Sequence, residues 1–74
     1  MEIRQLEGAI EAILFTMGEA VELCQIAKAI QQDKATTEKL IHNLMDKYQD
    51  EGRGIHIIEL ENSYQLCTKR DYYG

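Results

Sequence analysis

The sequence predicts a mainly α-helical fold of three helices followed by a β-hairpin, the plan of a winged helix-turn-helix. Two observations carry this prediction. Apolar residues recur at helical spacing through the first two thirds of the chain, and their period shortens to two near the end. The chain has 74 residues, with no proline and no repeat or linker that would divide it. We therefore expect residues 1–74 to form one domain.

The first helix is predicted from Glu2 to Met17, because apolar side chains recur there every three or four residues and form one stripe. Gly18 follows at once, and glycine commonly ends a helix. One side of this helix is therefore expected to face the core. The residues of the stripe are Ile3, Leu6, Ile10, Ile13, Leu14 and Met17.

Two further helices follow a short connection. The second is brief and is expected to close near Gln32 and Asp33. The third is expected to begin with Thr36 or Thr37 as its N-cap, with Glu38 in its first turn. The apolar positions of these two helices are Leu23, Ile26, Ala27, Ile30, Leu40, Ile41, Leu44, Met45 and Tyr48.

The end of the chain is typical of a β-hairpin. Apolar and β-branched residues crowd positions 55–60, and apolar residues alternate with polar ones over 64–69. Glu61-Asn62-Ser63 between them favours a turn. Val21 lies where a strand of one or two residues can pair with this hairpin. An isolated hairpin is unstable without a sheet partner or a helix beneath it, so we favour the winged form over a helical bundle with a stray hairpin.

Composition limits the class of protein. The net charge of −5 opposes binding to a phosphate backbone. The acidic N-terminal segment does not resemble a signal peptide, so we expect a cytoplasmic protein without a membrane segment. Cys24 and Cys67 are expected to be free thiols, one or both packed as small hydrophobes, with a disulfide as the alternative. His42 and His56 lack paired-ligand spacing, so neither a metal nor another cofactor is expected.

Nothing in the sequence predicts an enzyme. The chain has no glycine-rich phosphate loop, no nucleophile motif and no carboxylate pair in an identifiable cleft. His42 falls between apolar helix positions and His56 alternates with apolar strand positions, so both are expected to have structural or surface roles. A domain of this size is also too small to enclose a substrate pocket. We assign no catalytic residue.

A winged fold suggests DNA binding, which needs basic and amide side chains near the start of the third helix. Acidic residues outnumber basic ones on that helix, and Asn43 is its only good reader of base edges. The wing carries Glu59 and Glu61, where a DNA-binding wing carries Arg or Lys. Lys69 and Arg70 lie beyond the wing and are expected to be solvated. A DNA-binding transcription regulator stays the alternative function.

The first helix carries a second apolar set, on the side opposite its core stripe. At 100° per residue, Gly8, Ala12 and Phe15 fall on that side, with Arg4 at its edge. Small residues let another helix approach closely, and an aromatic residue beside them is a common interface anchor. This face predicts a contact with another chain or, if the fold wraps the helix completely, a second buried side with Phe15 in the core.

The predicted wing offers a second candidate contact surface. Ile58 and Leu60, together with Ile55 and Ile57, put apolar side chains on both faces of one strand. One face covers the helices, and the other is exposed unless a partner covers it. An unidentified peptide bound along the wing edge is therefore a third, more general hypothesis.

Two parts of the chain resemble the segregation and condensation protein B family. Residues 6–15 (Leu-Glu-Gly-Ala-Ile-Glu-Ala-Ile-Leu-Phe), followed by Gly18-Glu19-Ala20-Val21, are similar to the family's first helix and the turn after it. Residues 54–60 and 64–68 (Tyr-Gln-Leu-Cys-Thr) are similar to its wing, so the resemblance covers nearly the whole chain. The positions that match the pattern are Ala12, Leu14, Phe15, Val21, Tyr64, Leu66 and Thr68.

The resemblance implies a non-catalytic subunit of the bacterial SMC condensin complex, which acts in chromosome condensation and segregation. Such subunits form homodimers, largely through the N-terminal domain, and bind the ScpA-like kleisin that bridges the ATPase heads of the SMC protein. Family members also carry a second winged-helix domain, so this chain resembles the N-terminal domain of a longer protein. No direct contact with nucleic acid or membrane is expected, and association with the nucleoid would come through the complex.

Two departures from the family pattern lie between the first and second helices. Ala20 stands where the family usually has proline, and Glu22 where it often has a capping serine. The second helix is therefore expected to start less sharply than in the family.

Overall fold

A computed structural model describes residues 2–50 and 52–69 of the chain. Three helices pack together and support a three-stranded antiparallel sheet, which confirms the predicted winged helix-turn-helix. The elements in chain order are α1 (Ile3–Met17), β1 (Val21–Glu22), α2 (Leu23–Ile30), α3 (Lys34–Lys47), β2 (Ile55–Leu60) and β3 (Ser63–Thr68).

The first helix, α1, ends at Met17 as predicted and begins one residue later than predicted, with Glu2 as its N-cap. At its start, the backbone N–H of Glu2 donates to the side-chain oxygen of Gln5 at 2.9 Å. At its end, Gly18 adopts the left-handed conformation with φ of 66°, which costs glycine no steric strain. The N–H of Gly18 donates to the Leu14 carbonyl at 3.3 Å. These caps fix the length of α1 and help to hold the direction in which its side chains point.

The hairpin is part of a larger sheet with the strand order β1-β3-β2. Val21 of β1 pairs with Tyr64 of β3, and the N–H of Leu23 donates to the carbonyl of Asn62 in the wing turn at 2.9 Å. The predicted short strand is therefore confirmed, and the alternative of a helical bundle with a stray hairpin is wrong. The turn between β2 and β3 consists of Glu61 and Asn62, because Ser63, which was predicted to belong to the turn, is the first residue of β3.

One hydrophobic core joins the three helices to the inner face of the sheet. Ile10, Ile26 and Ile41 place one fully buried side chain from each helix in it. The α1 stripe is not uniformly buried, since Ile13 is partly buried and Ile3 and Met17 at the two ends of the helix are exposed. The core consists of Leu6, Ile10, Leu14, Val21, Leu23, Ile26, Ile30, Leu40, Ile41, Leu44, Tyr48, Ile57 and Tyr64.

The end of α2 differs from the prediction. The helix starts directly after β1, and the N–H of Glu22 at its N-cap donates to the side-chain oxygen of Gln25 at 3.4 Å. The helix ends at Ile30, earlier than predicted, because Gln31 adopts the left-handed conformation with φ of 59°.

The N-cap of α3 is Asp33, so the prediction of Thr36 or Thr37 is wrong. The Asp33 carboxylate accepts hydrogen bonds from the N–H of Thr36 at 3.0 Å and from its hydroxyl at 2.6 Å. Thr37 lies inside the helix, is buried, and donates its hydroxyl to the Asp33 carbonyl at 2.8 Å. The helix therefore starts earlier than expected, and its first turn contains no acidic residue, so Glu38 lies beyond it.

Asp33→Ala is expected to lower the free energy of unfolding, because the first turn of α3 loses the acceptor of two hydrogen bonds. The bonds from the hydroxyl and the N–H of Thr36 hold the pKa of the Asp33 carboxyl below its ordinary value of 3.8. Stabilisation by the ionised carboxylate is therefore fully present above that ordinary value and is lost as the pH falls through the lower pKa of the folded state. Urea unfolding between about pH 2 and pH 7 measures both effects.

Asp33→Asn is the matched control, since asparagine keeps a side-chain acceptor at the N-cap but carries no charge. We expect the wild-type chain to exceed this variant in stability near neutral pH and to lose that advantage in acid. A stability difference that stays constant across the pH range would contradict a role for the ionised carboxylate.

Candidate interaction surfaces

Phe15 lies on the surface of the domain and is 77% exposed. Its neighbour Leu14 is only 1% exposed, because successive residues of a helix point about 100° apart. Gly8 and Ala12 are exposed on the same side of α1 as Phe15, and Arg4 is exposed toward the start of the helix. Phe15 is therefore not a core residue of this chain, and the second apolar side of α1 is open.

A shallow groove follows this side of α1 and reaches the start of β2. A Cβ added at Gly8 would meet no atom within 4 Å outside the local helix backbone, so the helix surface is open at this position. Phe15 projects from the same groove two turns further along the helix. We call this surface the α1 face, and its lining residues are Gly8, Glu11, Ala12, Phe15, Thr16 and Ile55.

Two glutamates of α1 bind side chains at the end of α3. Glu7 is buried, and its carboxylate accepts from the Lys47 ammonium at 2.5 Å. The carboxylate of Glu11 accepts a hydrogen bond from the hydroxyl of the buried Tyr48. The Arg53 guanidinium lies over the Tyr48 ring, 5.5 Å from its centroid. These contacts fix the orientation of α1 against α3 and engage both carboxylates within the chain.

The wing has an inner and an outer face. On the inner face, Glu59 lies opposite Tyr64, and its carboxylate is 3.2 Å from Nε2 of His42 on α3. Burial raises the pKa of the Tyr64 hydroxyl above its ordinary value of 10.0, and the charge of Glu59 adds to this shift. On the outer face, Ile58 is half-buried and Leu60 is 46% exposed. These two side chains form the apolar part of the outer wing face.

Three basic side chains near α3 are engaged within the chain. Lys47 and Arg53 make the contacts described above, and the Lys69 ammonium donates to the carbonyl of Asp50 at 2.8 Å. The sequence predicts that Lys69 and Arg70 are solvated. The hydrogen bond to the Asp50 carbonyl ties Lys69 to the residues after α3. Arg70 lies outside the described residues. Of these three cations, Lys47 is paired with a carboxylate, which weakens its attraction for a phosphate.

The two cysteines, Cys24 and Cys67, are free thiols, as predicted. Cys24 is exposed rather than packed as a small hydrophobe, and Cys67 is partly buried in the wing. Within residues 2–50 and 52–69, no three His, Cys, Asp or Glu side chains are grouped in a way that could hold a metal ion. No helix in these same ranges has both the length and the apolar character needed to cross a bilayer.

A family model described as segregation and condensation complex subunit ScpB matches residues 8–74. The chain belongs to the ScpB family. The segregation and condensation protein B of Lachnoclostridium phytofermentans is 60% identical over 73 residues, which cover 99% of this chain and 39% of that protein. The protein of the same description from Agathobacter rectalis is 52% identical over 68 residues, which cover 90% of this chain and 36% of that protein. This chain thus spans about two fifths of the length of these ScpB relatives.

Solved ScpB structures share the fold. A crystal structure described as a dimer of the ScpB N-terminal domain complexed with a ScpA peptide superposes with a TM-score of 0.90 at 28% identity, covering 95% of this chain and 88% of that one. ScpB from Mycobacterium tuberculosis superposes with a TM-score of 0.89 at 17% identity, covering 97% of this chain and 45% of that one. The resemblance to the ScpB family predicted from the sequence is therefore confirmed.

Phe15→Asp is expected to leave the domain folded. We expect the free energy of unfolding to fall by about 1 kcal/mol or less, because a substitution at an exposed helix position changes mainly the helix propensity. Leu14→Asp is the matched comparison, because it introduces the same side chain one residue earlier at a buried position. A buried, unpaired carboxylate costs several kcal/mol, which is comparable to the whole stability of a small domain. Circular dichroism during thermal unfolding measures both variants, and unfolding of Phe15→Asp would contradict the exposed placement of Phe15.

Proposed function

We propose that this chain is the N-terminal winged-helix domain of a non-catalytic ScpB subunit. In this proposal it self-associates through the α1 face and binds an ScpA-like kleisin, which links it to the SMC ATPase. The complex acts in the cytoplasm, on the nucleoid, in chromosome condensation and segregation. No step of this function requires the chain to contact DNA or a membrane directly.

The main support is the likeness to the ScpB N-terminal domain that was solved as a dimer with a ScpA peptide. That likeness covers 95% of this chain at a TM-score of 0.90. Both the second copy and the kleisin in the proposal come from that relative. Since this chain spans about two fifths of its ScpB relatives, the activity of the longer protein is part of the proposal.

The α1 face supports self-association on physical grounds. A ring that is 77% exposed leaves a large apolar area in water, and removing such area from water favours association. The open surface at Gly8, which has no side chain, lets a second helix approach closely without a clash. Aromatic anchors are typical of the residues that dominate binding energy.

The outer wing face supports a second contact, which we assign to the kleisin. Ile58 and Leu60 place apolar area on the side of the wing that faces away from the helices. The exposed carboxylates of Glu22 and Glu61 lie near this area, at the strand paired with β3 and at the wing turn. This combination suits a partner segment that is apolar and basic, and it disfavours a phosphate backbone.

Ala12→Glu is expected to weaken self-association about tenfold or more, because it places a charge in the middle of the α1 face. Ala29→Glu is the matched control, since Ala29 is also an exposed alanine within a helix but lies on α2. Sedimentation velocity over a concentration series gives the dissociation constant of each variant. Equal constants for Ala12→Glu and the wild-type chain would rule out the α1 face as the dimer surface.

Leu60→Asp is expected to weaken binding of the ScpA-like kleisin about tenfold while leaving self-association unchanged, because the wing and the α1 face are separate surfaces. Isothermal titration with the kleisin measures the first effect, and sedimentation velocity measures the second. Ala29→Glu again serves as the control for a new surface charge. If Leu60→Asp binds the kleisin as tightly as the wild-type chain does, the outer wing face is not the kleisin-binding site.

A titration with duplex DNA separates the proposed function from that of a transcription regulator. We expect no binding in moderate salt. Binding that weakens steeply with added salt would show that phosphate contacts drive it and would favour the regulator instead.

A further inference from the structure

The strand β2 lies at an edge of the sheet. The strand order is β1-β3-β2, and among the described residues β2 pairs only with β3. A strand at an edge presents a row of N–H and C=O groups that no neighbouring strand satisfies. The outer edge of β2 therefore offers main-chain hydrogen bonds to another extended chain.

The register of the hairpin shows which backbone groups point outward. The N–H of Lys69 donates to the carbonyl of Gly54 at 2.8 Å, so the backbone of Gly54 is turned toward β3. Opposite residues of an antiparallel pair alternate between bonded and non-bonded positions, so the even-numbered residues of β2 bond β3. The N–H and C=O groups that point away from β3 belong to Ile55, Ile57 and Glu59.

The pairing of β1 with β3 gives the same result. The N–H of Leu23 donates to the carbonyl of Asn62 at 2.9 Å, and two residues away Val21 pairs with Tyr64. The backbone of Tyr64 is therefore turned toward β1. Glu59, which lies opposite Tyr64 on β2, has its backbone N–H and C=O on the outer edge.

The devices that usually protect an edge strand are missing from β2. No Lys, Arg or Pro occurs from residue 54 to residue 68. The register with β3 runs one to one from Ile55 to Leu60, so no bulge twists this edge away. A regular edge of six residues is a template to which one more strand can be added.

We propose that an extended segment of the kleisin adds to the outer edge of β2 as a fourth strand of the sheet. The outward N–H and C=O groups of β2 bind the main chain of this segment, and the side chains of the wing select its sequence. This inference rests on the proposed kleisin binding at the wing, and it adds the mode of binding and the sequence pattern of the segment.

The side chains on the two faces of β2 predict that pattern. On the outer face, an added strand lies beside Ile58 and Leu60, which match apolar side chains. Toward the inner face and the turn, the carboxylates of Glu59 and Glu61 are exposed, and no Lys or Arg of the wing balances them. Since successive side chains of a strand point to opposite faces, the segment alternates apolar residues with Lys or Arg.

Charge also favours the kleisin over a second copy of this chain as the added strand. Two copies of β2 side by side would bring the carboxylates of Glu59 and Glu61 from both copies into one sheet. Neither copy of the wing would contribute a Lys or Arg to pair with them. Opposite charges across a strand pair are stabilising, so a basic and apolar segment of a different chain matches this edge better.

Amide hydrogen exchange read by NMR tests strand addition in the wild-type chain. Without the kleisin, the outward N–H groups of Ile57 and Glu59 are expected to exchange faster than those of Ile58 and Leu60, which bond β3. The kleisin is expected to slow exchange of the outward groups about tenfold or more, because each gains a main-chain acceptor. Unchanged exchange at Ile57 and Glu59 in the complex would overturn the inference.

A proline substitution gives a second measurement. Glu59→Pro removes an outward N–H and puts the ring in its place, while every bond to β3 is kept. Glu59→Ala is the matched control, because it loses the same carboxylate but keeps the N–H. We expect the proline variant to bind the kleisin about tenfold more weakly than the alanine variant in isothermal titration.

Thermal unfolding followed by circular dichroism establishes that both variants are folded. Equal dissociation constants for two folded variants would contradict strand addition. If the proline variant unfolds, the exchange measurement on the wild-type chain decides alone.

The outcomes also separate this inference from the proposed function. If Leu60→Asp weakens kleisin binding while exchange of the outward N–H groups is unchanged, the kleisin binds through side chains alone and only strand addition is wrong. A wild-type chain that does not bind the kleisin would overturn both. Exchange that slows in the chain alone as its concentration rises would assign the edge to a second copy and would overturn the kleisin as the added strand.

Discussion

The step of about 100° between successive helix residues is the constraint on which this structure depends, because it places Leu14 in the core and Phe15 in water. One side of α1 packs against α2, α3 and the sheet. With the core filled from that side, no part of the described chain covers Phe15. The helix therefore has two apolar sides, and only one of them is covered within the described chain. The uncovered side is the candidate interface.

Polar contacts fix how that open side is presented. Glu7 with Lys47, and Glu11 with Tyr48, join α1 to the end of α3. Hydrogen bonds that involve a charged group are stronger than neutral ones, so these contacts resist rotation of α1 about its own axis. The short β1–β3 pairing fixes the position of the wing, because it attaches the wing to the start of α2. The two candidate surfaces are thus held on one rigid scaffold.

Much of the fold could be predicted because periodicity reports which side of an element is buried. The apolar spacing of α1, the change of period before β2 and the position of Val21 were enough to predict the winged plan. The N-cap of α3 was missed because aspartate at 33 and the two threonines are all good caps, and tertiary context decides between them. The contacts of Glu7 and Glu11 were missed because their partners lie far away in sequence, where only the packed fold brings them together. For the same reason, a sequence pattern could suggest a second face on α1 but could not show that it is open.

The central claim is that the uncovered side of α1 is where this chain meets a second copy of itself. Backbone amide NMR spectra recorded across a dilution series test this claim most directly, because each residue reports on its own surroundings. The account predicts shifts with concentration at Gly8, Ala12, Phe15 and Thr16, with little change along α2. Shifts confined to the wing, or spectra that do not change with concentration, would contradict it.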